Sequence, residues 1–144
     1  MHIFNIKKAG PKDIPTIAAL MAQLWPHHTA AEMEAELREM MEREDTSFFL
    51  ADNMGFAQCQ LRHDYVEGTD SSPVGYLEGI YVAEEFRHQG IARQLLRTCE
   101  NWAKEKGCQE FASDCELDNT QSLKFHLNVG FFEANRIICF AKKL

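Results

Sequence analysis

The sequence has no apolar run long enough to cross a bilayer, and its beginning does not resemble an export signal. A membrane-spanning helix needs about 18–20 consecutive apolar residues, and the apolar stretches of this 144-residue chain are far shorter. At the start of the chain, Lys7 and Lys8 follow a brief apolar stretch, whereas a secretion signal places its basic residues before a longer one. We therefore expect a cytoplasmic protein with no membrane partner.

The sequence also lacks the cysteine spacing of a structural metal site or a disulfide framework. Its five cysteines are odd in number and scattered, and no two of them form a CxxC pattern. Small apolar residues in a reducing compartment explain them best. We therefore expect no metal cofactor. The cysteines are Cys59, Cys99, Cys108, Cys115 and Cys139.

Positive charge is scarce in the sequence. Fifteen Lys and Arg residues stand against 22 Asp and Glu residues, which gives a formal net charge of −7. Nucleic-acid binding needs a basic surface, so the charge argues against a nucleic-acid partner. An acidic cleft would attract a cationic small molecule, although a net charge of this size also keeps a protein in solution without any such role.

Hydrophobic periodicity predicts a single α/β domain over residues 1–144, with the order β-α-α-β-β-β-α-β-α-β-β. Thr29 and Glu32 form a capping box at the start of the second helix. Gly79 lies inside a strand, which suggests a β-bulge or a close backbone approach. The predicted elements are strands at 1–8, 47–52, 56–62, 76–82 and 110–114, helices at 14–25, 29–41, 90–106 and 119–128, and a pair of strands within 131–143 that turns near Asn135.

Strand 76–82, helix 90–106 and strand 110–114 together predict a β-α-β crossover. Because this connection joins parallel strands, the helix begins at their carboxyl end, where ligands tend to bind. Gly90 there allows an unusual φ and a close backbone approach, and free N–H groups gather at the positive end of the helix dipole. Such a turn suits a pyrophosphate, although an ordinary loop-to-helix junction has a similar sequence. The turn reads Arg87-His88-Gln89-Gly90-Ile91-Ala92.

This turn, the strand before it and a second helix opened by Asn119 together resemble the GNAT acetyltransferase superfamily over nearly the whole chain. The resemblance implies a central twisted mixed β-sheet whose fourth and fifth strands splay apart, flanked by about four helices. It also implies acetyl-CoA as co-substrate, with the pyrophosphate on the turn and the pantetheine arm along strand four. The coenzyme-binding residues it implies are Ile80, Tyr81, Val82, Arg87, His88, Gln89, Gly90, Ile91, Ala92 and Asn119.

Longer stretches resemble one branch of that superfamily, the aminoglycoside 6′-N-acetyltransferases. They are Leu24-Trp25-Pro26 with His28, Arg62-His63-Asp64-Tyr65-Val66 with Gly68, Ser71-Ser72-Pro73-Val74, Tyr76-Leu77-Glu78-Gly79-Ile80 and Ala112-Ser113-Asp114. The resemblance implies acetyl transfer to the 6′-amine of aminoglycoside antibiotics, and hence resistance. It implies a homodimer, and a drug site lined by Trp25, His28, Tyr65, Glu78 and Asp114, with Tyr65 reaching into the neighbouring subunit's cleft. Carboxylates suit the ammonium groups of such a drug, and aromatic faces suit its rings and its charge.

These residues suggest direct acetyl transfer within a ternary complex. Glu78 or Asp114, directly or through a water, would take a proton from the substrate amine. The backbone N–H of Val82 would polarise the thioester oxygen. His126 stands four residues before Gly130, where many GNAT enzymes have a tyrosine, and would donate a proton or a hydrogen bond to the leaving thiolate. Simple packing between helix and sheet is an equally good explanation of His126.

The sequence leaves the acceptor open in two respects. Near the last predicted strands the family can present another acid to the drug, whereas this chain has Asn135 and Arg136 there. The phosphate turn also fits a GNAT enzyme for another amine, such as a polyamine, an amino sugar or a protein N-terminus. It fits a non-catalytic acyl-CoA sensor as well.

Overall fold

A computed structural model describes residues 4–144 of the chain. The helices and strands follow one another nearly in the predicted order. The predicted strand at 1–8 begins only at Ile6, and its first three residues lie outside the described part. Short 3₁₀ turns precede α1 and follow β4. The elements are β1 Ile6–Lys8, α1 Ile14–Leu24, α2 Ala30–Met40, β2 Thr46–Ala51, β3 Gly55–Arg62, β4 Val74–Val82, α3 Ile91–Glu105, β5 Phe111–Ser113 and α4 Thr120–Asn128.

The strands form one mixed sheet in the order β1-β2-β3-β4-β5. Strands β1 to β4 are antiparallel neighbours, whereas β4 and β5 run parallel and are joined through α3. The predicted β-α-β crossover is therefore present. It places the start of α3 at the carboxyl end of β4.

Strand β4 contains a β-bulge at Glu78. Gln58 of β3 pairs with Gly79, and the next residue, Cys59, pairs with Leu77, so Glu78 is the extra residue on β4. A bulge bends its strand and re-aims the side chain of the extra residue. The sequence placed the irregularity at Gly79, one residue away from the residue that is turned.

Strands β4 and β5 stay together for only a short distance. Gly75 to Leu77 pair with Phe111 to Ser113, after which β4 continues to Val82 without β5 beside it. The parting of the two strands opens a cleft at the carboxyl end of the sheet, next to the start of α3. The predicted mixed α/β fold with separated fourth and fifth strands is confirmed.

Both faces of the sheet are covered by helices. Side chains alternate across a strand, and on β2 this sends Phe49 towards α3 and its buried Leu95, while Phe48 packs against Ile17 of α1 and Leu37 of α2. Two apolar cores therefore fix α3 on one face and α1 with α2 on the other. The end of α1 and the start of α3 are held near the same end of β4 as a result.

The prediction of a pair of strands within 131–143 is wrong for a single copy of the chain. No strand is assigned to residues 131–144 in the described part, and several large apolar side chains there face solvent. A strand needs a neighbour to take its backbone hydrogen bonds, and the body of the same chain does not provide one. We call residues 132–144 the C-terminal tail. Its exposed apolar residues are Phe132, Ile137, Ile138, Phe140 and Leu144.

Within residues 4–144, no helix is both long and apolar enough to cross a membrane. All five cysteines are free, and Cys59, Cys99 and Cys108 are buried. Over the same residues, no group of three His, Cys, Asp or Glu side chains comes close enough together to hold a metal ion.

Candidate functional site

The backbone of β4 directs polar groups that no neighbouring strand pairs into the cleft between β4 and β5. The N–H of Ala83 donates to Met54 O at 2.8 Å, on the side of β3. Backbone groups alternate in direction along a strand, so the N–H and C=O of Val82 and Ile80 point the other way, into the cleft. The Val82 carbonyl accepts a hydrogen bond from Arg87 Nε at 2.8 Å, which agrees with this direction. The backbone groups of Tyr81 point towards β3 by the same alternation.

The predicted phosphate turn is a left-handed turn at the start of α3. Gly90 caps the helix with φ +85°, and His88 also has a positive φ of 65°. A Cβ at Gly90 would meet no atom within 4 Å, so the space in front of the turn is open. The first N–H groups of α3 have no partner within the helix, and no side chain caps them. The unusual φ expected of Gly90 is confirmed.

These features fit a coenzyme that carries phosphates and an extended amide arm. The helix start supplies N–H groups and a positive dipole end for phosphate. The free edge of β4 at Ile80 and Val82 supplies the backbone partners that an amide-bearing arm needs. Arg87 is held between the Val82 carbonyl and the ring of Tyr81, with its guanidinium carbon 5.5 Å from the ring centroid, so it stiffens the turn at the strand end.

Asn119 lies at the N-cap of α4. Its Oδ1 accepts a hydrogen bond from the N–H of Ser122 at 3.1 Å, which satisfies one of the free donors at the helix start. The amide nitrogen of Asn119 remains available on the exposed side. The structure therefore gives Asn119 a structural role beside the coenzyme contact expected of it.

Trp25 forms one wall of the cleft. It ends α1 and lies half-buried over β4, where a Cβ on Gly79 would come within 3.3 Å of the indole Cη2. Gly79 is therefore small because the indole occupies the space above it. His28 is further out and exposed, with Nδ1 3.3 Å from Glu32 Oε2. Tyr65 lies in the loop 63–73 with 76% of its surface exposed, and it is not packed against the cleft of its own chain.

The two predicted acids, Glu78 and Asp114, belong to one cluster of side chains, whose two hydrogen-bonded halves meet where Arg62 stacks on Tyr76. The bulge turns Glu78 towards β3, where Arg62 and Gln60 donate to its carboxylate. Asp114, just after β5, accepts a hydrogen bond from the hydroxyl of Tyr76. Burial and the hydrogen bond to Asp114 raise the pKa of the Tyr76 phenol well above its ordinary value, so this group stays protonated and remains a donor.

His126 is bound on both sides of its ring. Nε2 lies 2.7 Å from Ser113 Oγ, and Nδ1 lies 2.7 Å from the carbonyl oxygen of Ser122. A carbonyl only accepts, so we assign the proton of the neutral ring to Nδ1, and Nε2 then accepts from the Ser113 hydroxyl. Phe131 also packs against the ring, with centroids 5.1 Å apart. His126 thus connects α4 to the end of β5, at the point where the cleft opens.

Four residues of the site received no predicted role from the sequence, although three of them lie in the stretches that resemble the aminoglycoside 6′-N-acetyltransferases. Gln60, Arg62 and Tyr76 join the acid cluster, and Ser113 joins His126. A signal for part of this set was present, because Gln58, Gln60 and Arg62 alternate with apolar residues on β3 and so share one face. Their partner could not be read from the sequence, since it depends on the bulge that turns Glu78.

Arg136 does not turn towards the acid cluster. It pairs with Glu133 in the exposed tail, and this pairing raises the pKa of its guanidinium. In this copy of the chain Arg136 therefore brings no positive charge into the cleft.

Comparison with known proteins gives a consistent result. A sequence model of the acetyltransferase (GNAT) family matches residues 14–131. The aminoglycoside N(6′)-acetyltransferase type 1 of Salmonella enteritidis is 43% identical over 143 residues, which cover 96% of this chain and 99% of that protein. The enzyme of the same name from Serratia marcescens is 40% identical over 131 residues, covering 88% of this chain and 90% of its own length.

Solved structures show the same likeness. The aminoglycoside N-acetyltransferase AAC(6′)-Iy, in complex with CoA, is 38% identical and superposes with a TM-score of 0.93, covering 99% of this chain and 96% of that one. The same enzyme has been solved with a bisubstrate analogue, CoA-S-monomethyl-acetylneamine. AAC(6′)-Ih from Acinetobacter baumannii is 36% identical with a TM-score of 0.91, and 99% of each chain is covered.

The sheet that parts between β4 and β5, the glycine turn at the start of α3 and relatives above 40% identity lead to one conclusion: the chain belongs to the acetyltransferase (GNAT) family and, within it, to the aminoglycoside N(6′)-acetyltransferases.

Proposed function

We propose that this protein transfers the acetyl group of acetyl-CoA to the 6′-amine of aminoglycoside antibiotics and so confers resistance to them. The observation that carries the proposal is the pair of carboxylates, Glu78 and Asp114, placed at the parting of β4 and β5 beside a turn that suits phosphates. Aminoglycosides are polycations, and carboxylates bind ammonium groups by charge-assisted hydrogen bonds. The acetyltransferases named for this reaction share the fold along nearly the whole chain.

For the coenzyme, we propose the residues that border the cleft. The N–H groups from Gly90 onwards would hold the pyrophosphate, with Arg87, His88 and Gln89 forming the rim of the turn and Ile91 and Ala92 opening the helix. The backbone of Ile80 and Val82 would pair with the pantetheine arm, Tyr81 supports that strand from the β3 side, and Asn119 would contact the arm from α4. The coenzyme supplies the acetyl group as a thioester, and the Val82 N–H would polarise its carbonyl.

For the drug, we propose that Trp25 and His28 line one wall of the cleft, that Glu78 and Asp114 bind its ammonium groups, and that Asp114 takes the proton of the attacking amine. The structure favours Asp114 over Glu78 in this last role. The Glu78 carboxylate is held by Arg62 and Gln60, whereas Asp114 is held by the Tyr76 hydroxyl and is otherwise open to solvent. The amine nitrogen then bonds to the acetyl carbon as the carbon–sulfur bond breaks.

For the leaving thiolate, we propose a proton path from His126 through Ser113. In the imidazolium form, Nε2–H donates to Ser113 Oγ, and the Ser113 hydroxyl proton passes to sulfur. The ring is then left neutral with its proton on Nδ1, in hydrogen-bond contact with the Ser122 carbonyl. The 2.7 Å contact between Ser113 Oγ and His126 Nε2 supports this path.

We also propose that the protein works as a homodimer in which the C-terminal tail packs against a second copy. In the tail, the exposed fractions of Phe140 and Ile138 are 90% and 81%. Burial of such apolar surface against a second copy would stabilise the assembly. Strand β5 is a short edge strand of the sheet, and an unpaired edge is a natural place for another chain to bind. The tail begins beside the loop of Tyr65, since a Cβ on Gly68 would come within 2.6 Å of Ala134 Cβ. A shared interface would therefore carry Tyr65 towards the partner's cleft.

We further propose that residues 1–144 act as one catalytic domain and that it works in the cytoplasm, where acetyl-CoA is available. The apolar cores on both faces of a single sheet support one domain. The free cysteines fit a reducing compartment such as the cytoplasm.

Coenzyme binding is predicted to depend on the backbone conformation at Gly90. An L-residue in the left-handed region costs about 1–2 kcal/mol, so Gly90→Ala should raise the Kd for CoA by a factor of about 5–30, measured by isothermal titration calorimetry. Gly90→Asn is the matched control, because asparagine tolerates this region, and it should bind more tightly than the alanine variant. Wild-type affinity in Gly90→Ala would contradict the assigned turn.

The acceptor is predicted to be the 6′-amine of an aminoglycoside. A thiol-release assay with acetyl-CoA should show turnover with kanamycin and none with kanamycin blocked at its 6′-amine. Spermidine and a peptide N-terminus test the other acceptors that the sequence allows. Asp114→Asn should lower kcat about 100-fold or more, because a missing general base typically costs about 10²–10⁴-fold, whereas Asp45→Asn, before β2, should leave it unchanged. Equal turnover of blocked and unblocked kanamycin would refute the regiospecific proposal.

The proton path is predicted to fail when either of its members is removed. His126→Ala and Ser113→Ala should each lower kcat about 10–100-fold while CoA affinity stays near that of the wild type, because they act after the substrates have bound. The double variant should lose little more than either single variant, since both belong to one path. A His126→Ala enzyme with unchanged kcat across pH would show that the ring only packs between α4 and β5.

The tail is predicted to hold the dimer together. The wild-type protein should elute as a dimer in size-exclusion chromatography with light scattering, and Ile138→Asp combined with Phe140→Asp should shift it to a monomer because the charges cannot be buried at an apolar contact. Leu117→Asp, at a side chain that is 76% exposed but lies outside the tail, is the control and should remain dimeric. A monomeric wild type, or a dimer that survives both tail changes, would count against this assembly.

A further inference from the structure

One arginine supports both acids of the site. Arg62, at the end of β3, donates to Glu78 through two nitrogens: Nε lies 3.1 Å from Oε2, and Nη2 lies 2.8 Å from Oε1. The same guanidinium stacks on Tyr76, with its central carbon 3.4 Å from the ring centroid. The Tyr76 hydroxyl in turn donates to Asp114. A single side chain therefore contacts Glu78 directly and reaches Asp114 through one intermediate.

The arrangement depends on the bulge in β4. In an unbroken antiparallel register, successive residues of β4 would each oppose one residue of β3. The backbone of the extra residue, Glu78, has no such partner on β3. Its side chain does contact β3, because Gln60 and Arg62 donate hydrogen bonds to its carboxylate. The partly buried carboxylate of Glu78 needs hydrogen-bond donors, and β3 provides two of them. Arg62 carries a positive charge, whereas Gln60 is neutral.

Arg62 is suited to the position by shape as well as by charge. The flat guanidinium presents a fork of N–H donors that matches a carboxylate edge-on while its face lies on an aromatic ring. Burial works against the charged form, but the hydrogen bonds and the charge of Glu78 raise the pKa of Arg62 above its ordinary value. The side chains of Arg62 and Glu78 are 38% and 19% exposed, so the pair is only partly screened by water.

The charges of the cluster show what Arg62 changes electrostatically. Arg62 and Glu78 compensate each other, which leaves Asp114 as the carboxylate without a cation beside it. Removing Arg62 would free the Glu78 side chain to move and add one net negative charge to the cleft. For a polycationic substrate, the two effects act in opposite directions, because binding would be kept or strengthened while the geometry at the reacting atoms would be lost.

We propose that Arg62 is a positioning residue of the acetyl-transfer site, which fixes Glu78 by direct contact and fixes Asp114 through Tyr76. This role rests on the proposed aminoglycoside acetylation, since Glu78 and Asp114 are its drug-binding and proton-accepting groups. Arg62 itself contacts neither the drug nor the coenzyme in this role. It acts by keeping two carboxylates on different strands in one arrangement.

The test is a double-mutant cycle of Arg62→Gln and Glu78→Gln, assayed with acetyl-CoA and kanamycin. Arg62→Gln should lower kcat about 100-fold, the usual loss when reacting groups shift by about 1 Å, while the KM for kanamycin stays the same or falls. In the Glu78→Gln background, Arg62→Gln should cost far less, because its main contact is already gone. Arg62→Lys keeps the charge but not the fork or the stacking, and it should recover only a minor part of kcat.

The matched control is Arg97→Gln, on the exposed side of α3, which should behave as the wild type in kcat, KM and melting temperature. Fully additive losses of kcat in the cycle would show that Arg62 serves stability alone. A raised KM with kcat unchanged would show that it binds the drug directly. Either result would overturn the proposal.

A second readout separates this proposal from the proposed function. The same four proteins are compared by thermal unfolding without substrate, where the Arg62–Glu78 contact should appear as a non-additive shift in Tm. If the wild type releases no thiol with kanamycin, the proposed function fails, and the unfolding cycle alone then decides whether Arg62 holds Glu78. Additive shifts in Tm would overturn the positioning role in that case.

Discussion

The parting of β4 from β5 after Leu77 and Ser113 is the constraint on which the rest of the structure depends. Backbone N–H and C=O groups near the middle of a sheet must find partners, and β4 runs on for five more residues without its neighbour. A substrate with amide groups can take the place of the missing strand. The crossover through α3 then sets the glycine turn at the same end of the cleft, so the free N–H groups of the helix start and the unpaired edge of β4 lie next to each other.

The bulge at Glu78 gives the two carboxylates of the cleft different hydrogen-bond partners. A carboxylate gripped by a guanidinium keeps its place but has few free lone pairs, whereas one that accepts a single phenol hydrogen bond can still receive a proton. Glu78 therefore keeps a fixed position and can offer an ammonium group only its remaining lone pairs, whereas Asp114 is suited to take a proton from one. The roles differ because of their neighbours on β3 and β4, since the two side chains themselves have the same chemistry.

Features that depend on local sequence could be predicted, and features that depend on pairing between strands could not. Gly90 and the crossover around it were readable because a glycine, a strand and a long helix follow one another directly. The Thr29 cap is also local, and its hydroxyl does accept from the Glu32 N–H at 3.2 Å. By contrast, Arg62 joins Glu78 across the register slip between β3 and β4. Gly79 signalled a bulge there, but it did not indicate which residue the bulge leaves unpaired or which side chain of β3 that residue meets. The tail has the alternation of a strand, but strand formation needs a partner that a single copy of the chain does not supply.

The contact between the Trp25 indole and Gly79 ties the length of α1 to the shape of the cleft. The indole of Trp25 rests on a backbone that has no side chain, so its seat is set by where α1 ends. One residue added to or removed from that helix would turn its end by about 100° and swing the indole off the strand. The length of α1 therefore fixes where the indole lies along β4, and a change in that length would alter the cleft without any change in the residues that line it.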